Sequence, residues 1–118
     1  MTDAEIDALE GRALDSAVAR IVLEHCVVRS VSGYTYTESD AAGMPFHPLR
    51  AYHADWGAMD LVVAKMRKRG LYLTLIQAPI ESGAWRATFV PGDSQMWGFG
   101  VDGPAAGARA ALKAVREE

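Results

Sequence analysis

The stretch GFGVDG, from Gly98 to Gly103, sets three glycines at the G-x-G-x-x-G spacing. In a dinucleotide-binding unit such glycines let the backbone approach a pyrophosphate at a helix N-terminus, where unpaired N–H groups and the helix dipole favour negative charge. That chemistry also needs a second parallel strand, and an acidic residue roughly twenty positions on to take the ribose hydroxyls. Only residues 104–118 follow here, room for a helix and no further strand. The glycines therefore read as packing residues, and no cofactor is expected. In a two-residue period Trp97, Phe99 and Val101 share one face, with Trp97 and Phe99 expected to be core against a helix. Gly98 and Gly100 share the other, a flat track that a helix backbone can approach closely.

The remaining reactive residue types form no catalytic pattern. KMRKRG (Lys65 to Gly70) gathers four cations at the end of a predicted helix. Cations there complement the helix dipole, and the alternative is a phosphate or nucleic-acid patch that Arg86 extends if the two surfaces meet. His47 and His53 stand six apart, with His25 and Cys26 far earlier, unlike the tighter pairs of metal sites, so no metal is expected and the histidines read as surface groups. Cys26, at the end of an apolar helix, reads as a small buried hydrophobe. Asp55 and Asp60 diverge on a helix, and no serine stands in a nucleophile elbow. No catalytic residue is expected, and the chain reads as non-enzymatic. Trp56, Trp85 and Trp97 read as core. The residues that fit an interface are Tyr34, Tyr36, Phe46, His47, Arg50 and Tyr52, which gather in an irregular segment and anchor partners when exposed. The alternative is an ordered ribbon whose aromatics complete the core.

The elements that must position these residues follow from the patterning. The chain has 118 residues, 50% hydrophobic and 23% charged, with a formal net charge of −3, the balance of one globular domain over residues 1–118. Such a length buries roughly two-thirds of its unfolded surface without metal or disulfide staples. A lone cysteine and a start without a basic-then-apolar leader favour the cytoplasm, no apolar run is long enough to span a membrane, and the mildly acidic total argues against nucleic acid. Residues 3–26 read as helix, hinged near Gly11, with Leu14, Ala17, Val18, Ile21 and His25 on a buried stripe and Arg12, Asp15, Arg20 and Glu24 off it, facing outward. Residues 27–52 read as a hairpin or edge ribbon. A middle helix capped by Asp55 ends at Gly70, with Trp56, Met59, Val63 and Met66 on its stripe. LYLTLIQ, AWRATFV and QMWGFGV alternate as strands on hairpin-length connections, an antiparallel meander. A last helix from Pro104 to Arg116 turns Ala105, Ala108, Leu112 and Val115 inward.

ALDSAVARIVLEH, DAAGMPFHPLRAYHADWGAMDLVVAKMRKRG, WRATFV and VDGPAAGARAALKAV together resemble the phage ABA sandwich domain, a family of small bacteriophage and prophage proteins. The likeness covers most of the chain: an opening helix, an acidic-glycine turn, a Tyr-x-x-Asp lead into a helix ending in a basic turn and Gly, a later strand and an Arg-Ala-Ala-Leu closing helix. It departs at His53 and Ala54, where a Ser or Thr capping pair is expected, so capping falls on Asp55. The last turn is also one residue short. The resemblance implies an α+β fold in α/β/α-type layers: three main antiparallel strands, an edge hairpin and three helices. It implies no reaction. It points to a phage accessory protein in the host cytoplasm that binds a host protein or small ligand, one version being modulation of host defence. The alternative is a virion or assembly component that forms a homo-oligomer.

Overall fold

Side-chain caps set several of the helix starts in the computed structural model, which describes residues 1–29, 36–39, 45–77, 85–91 and 97–116. Thr2 and Glu5 form a reciprocal capping box on α1 (Asp3–Ala8), each side chain accepting from the other's backbone N–H. The expected hinge is real. The chain breaks after Ala8, and α2 (Gly11–Ala17) starts on Gly11 at φ +54°, so among the described residues four α-helices stand where three were read. From Val18 to Val22 the winding becomes π-helical. Its i→i+5 bonds put more residues in each turn, and the buried stripe slips by one: Val22 is buried and Ile21, expected inside, is 39% exposed. Glu24 at φ +60° then turns the chain, so Cys26 opens a strand and is exposed rather than buried.

That strand, β1 (Cys26–Arg29), pairs antiparallel with β2 (Tyr36–Ser39), and β2 pairs with β3 (His47–Pro48), so the expected hairpin or ribbon is a three-stranded one. Asp55 caps α3 (Trp56–Lys68) by accepting from Gly57 N–H at 2.8 Å, and Gly70 at φ +80° closes it. Met59, Val62 and Met66 form its buried stripe, while Trp56, expected on it, is 43% exposed. The meander follows as read: β4 (Tyr72–Gln77), β5 (Trp85–Val90) and β6 (Gly98–Gly100) form a second antiparallel sheet in that order.

The closing helix α4 (Gly103–Arg116) is not a surface helix with one apolar face. Gly103–Ala108 and Ala110–Ala114 are all buried, because α4 runs between the β4–β6 sheet on one side and α1, α2, the π-helical turn and α3 on the others. Its alanines let so many neighbours approach. Lys113, also inside, is neutralised by Asp7 at 2.8 Å and donates to Trp97 O at 2.7 Å.

The register shows which way the glycine strand faces. Leu73, Leu75, Ala87, Phe89, Gly98 and Gly100 line the inner side; a Cβ on Gly98 would strike the backbone of Ala106 and Ala110, and one on Gly100 would stand 2.6 Å from Ala106 N. The close helix approach is therefore present. Phe99, expected in the core, points outward at 51% exposure, because the face it shares with Arg86, Tyr72 and Val90 is not the one that α4 covers.

Candidate functional site

Two carboxylates without any exposed surface organise the region where the first helices meet the ribbon. Asp15, expected to face outward from α2, is fully buried. Its Oδ1 accepts from the backbone N–H of His53 at 2.9 Å and pairs with His53 Nδ1 at 2.8 Å. Oδ2 accepts from Arg12 at 2.8 Å, and the other arm of Arg12 donates to Leu49 O at 2.6 Å. The carboxylate thus ties the chain just before α3 to α2, and a buried charge is tolerable because each oxygen is paired.

Glu38, on β2, is the second. His25 Nδ1 lies 2.7 Å from Oε2; Oε1 accepts from Arg50 N–H at 3.0 Å and the Arg50 guanidinium at 3.2 Å; the Tyr52 hydroxyl bridges both oxygens at 3.0 and 2.9 Å. Burial by itself pushes the Glu38 carboxyl up. The bonds from His25, Arg50 and Tyr52 and the charge of Arg50 outweigh it, holding the carboxyl below its ordinary value. Burial pushes the Tyr52 hydroxyl well above its ordinary range; the Glu38 carboxylate adds to this and Arg50 opposes it.

The structure thereby divides the six interface residues. Tyr52 is wholly buried and completes the core, whereas Arg50 is bound to Glu38 with its side chain 30% exposed. Phe46 is 49% exposed, and His47 is half-buried with Nδ1 3.0 Å from Pro48 O. Tyr34 lies outside the described residues. Tyr36 joins a concave site, a cleft of about 350 Å³ between α2, the π-helical turn and the ribbon. Leu9 and Val27 give it apolar walls, Ser16 a hydroxyl, and Arg20 and Arg29 positive charge, the guanidinium of Arg29 sitting 5.8 Å from the centre of the Tyr36 ring. Among the described residues, no acidic side chain lines this cleft.

The sequence pointed to Tyr36 through residue type and missed Arg20 and Arg29. Arg29 stands directly across from Tyr36 in the ribbon, a pairing that register alone reveals. Of the basic turn, Lys65 lies 3.6 Å from Glu24, and Arg86 stacks over Trp97 at 5.0 Å. Among the described residues, no group of three His, Cys, Asp or Glu side chains could hold a metal ion. The glycine motif opens no phosphate cradle: α4 fills the space over Gly98 and Gly100, and the Trp56 ring that over Gly103. No helix among the described residues is long and apolar enough to cross a membrane. Comparisons with protein-family models, curated proteins and solved structures found no match to this chain.

Proposed function

We propose that this protein is a non-enzymatic binding protein that takes a small anionic ligand in the cleft beside Tyr36. The observation that carries the reading is the cleft's lining: two arginines flank an aromatic ring above apolar walls, with no carboxylate among the described lining residues. Its volume lies at the lower end of the roughly 300–1,000 Å³ found for ligand pockets. The Asp15 and Glu38 networks support the reading by fixing the helix and ribbon that form its walls, which keeps the cost of ordering the site low. The biological setting, a phage or prophage accessory protein that modulates host defence in the bacterial cytoplasm by sequestering its ligand, rests on the family resemblance alone. Native mass spectrometry of the protein purified from bacterial lysate tests the binding. The expected result is a retained small anion, absent from an Arg20→Ala, Tyr36→Ala double variant that melts at an unchanged temperature. A protein carrying no added mass, or a double variant that keeps the ligand, would refute it.

A second reading, self-association as an assembly component, is favoured by a separate feature. Tyr72, Ile76, Val90 and Phe99 share the outer face of the β4–β6 sheet, and each is exposed.

A further inference from the structure

On the other side of α2 lies a second cleft, of about 300 Å³, lined by Glu10, Leu14, His53, Val101, Asp102 and Arg109 among others. Its polar groups are held in place before any ligand arrives. His53 has its Nδ1 against the buried Asp15 carboxylate, so in the neutral ring Nδ1 carries the proton and Nε2 is the acceptor, on a ring one-third exposed. Arg109 is fixed from two sides: Nη1 donates to Phe99 O at 2.6 Å and Nη2 to Leu9 O at 2.7 Å. Each of those nitrogens carries a second N–H. Asp102 uses Oδ1 to cap α4 through Ala105 N–H at 2.9 Å, leaving Oδ2 as an acceptor. Glu10 precedes α2 without a side-chain capping bond.

We propose that this cleft binds a small zwitterion, a molecule with one ammonium and one carboxylate group, such as a free α-amino acid. The charge pattern selects the class. A simple anion entering beside Arg109 meets two carboxylates, and a simple cation drawn to those carboxylates meets a guanidinium. A zwitterion satisfies both: its carboxylate accepts from the remaining N–H groups of Arg109, its ammonium donates to Asp102, Glu10 and His53 Nε2, and a small side chain rests against Leu14 and Val101. Pre-orientation by Asp15 and by the two backbone carbonyls removes much of the ordering cost of recognition. The site shares no lining residue with the cleft beside Tyr36, so the two stand or fall separately.

The test is an amide and imidazole NMR titration of the full chain with millimolar L-alanine, and with acetate and ethylamine as half-ligands. L-Alanine is expected to shift the Gly11, Val101 and Ala105 amides and the His53 ring, with each half-ligand binding at least about tenfold more weakly, a difference of about 1.4 kcal/mol. Glu10→Gln and His53→Gln should each weaken alanine binding several-fold; Glu10, whose side chain is exposed, carries this arm alone if His53→Gln fails to fold. Unmoved signals with alanine would overturn the proposal. So would a half-ligand that binds as tightly as alanine, or unchanged affinity in Glu10→Gln.

Discussion

Glu38, on β2, holds together groups from two other parts of the chain, His25 before β1 and both Arg50 and Tyr52 after β3, so its protonation state is coupled to the ribbon's attachment. In the fold its carboxyl is held below the ordinary value of 4.5. Its stabilisation is therefore complete above that value and is lost as the pH falls through the depressed folded one; changes near neutrality leave it untouched. Glu38→Gln should lower stability at pH 7 by about 3 kcal/mol, because Arg50 loses its counter-charge and His25 and Tyr52 lose a carboxylate partner, and it should flatten the acid limb of a urea-midpoint profile. A variant with the wild-type profile would remove Glu38 from that role. Tyr52→Phe should cost about 2 kcal/mol in the same melts, the loss of one hydroxyl bonded to a charged group. Neither carboxylate network was legible from residue spacing. Arg12 and Asp15 sit at a helical i,i+3 step that looks like an ordinary exposed pair, and only the distant His53 draws Asp15 inside. Glu38 gave one faint signal: alternation places it on the same side of β2 as Tyr36.

Elements whose boundaries depend on local chemistry were the most readable. Asp55 and Gly70 bracket α3, Gly11 hinges the first helical segment, and the three alternating runs became β4, β5 and β6. What escaped the sequence at this scale depends on winding and on partners. The π-helical turn shifts Ile21 out and Val22 in, and no residue type in VARIV announces it. Gly98 was read correctly as a site of close approach, and the structure sharpens the expectation, because the obstacle is helix backbone and not a side chain that can swing away. Gly98→Ala should therefore already destabilise, and Gly98→Val should cost on the order of 1–3 kcal/mol through overpacking, read as a lower urea midpoint at unchanged slope. Stability equal to wild type in both would mean that β6 separates from α4 at no cost.

For the whole molecule, the reading of a mixed α+β domain with an antiparallel meander was sound, but the place of α4 was not. An alanine-rich helix has little apolar bulk, so periodicity assigned it a single inward face, whereas its small side chains allow burial from nearly every side. Because α4 takes the inner side of the β4–β6 sheet, the aromatic side of β6 is left outward. The self-association reading depends on that face. Strands about 4.8 Å apart with a rise of about 3.3 Å per residue give a face of two six-residue strands and the three-residue β6 an area of roughly 240 Å². That is well below the ~800 Å² per partner of a stable interface, so two copies meeting through this face alone should associate weakly. Sedimentation velocity at rising concentration is expected to give a monomer–dimer equilibrium in the high-micromolar range or above. Phe99→Asp, which places a charge at an exposed position on the apolar face, should abolish the dimer while leaving the melting temperature close to wild type. A chain that stays monomeric throughout, or a dimer indifferent to Phe99→Asp, would exclude this face as the means of assembly and leave the cleft beside Tyr36 as the basis for function.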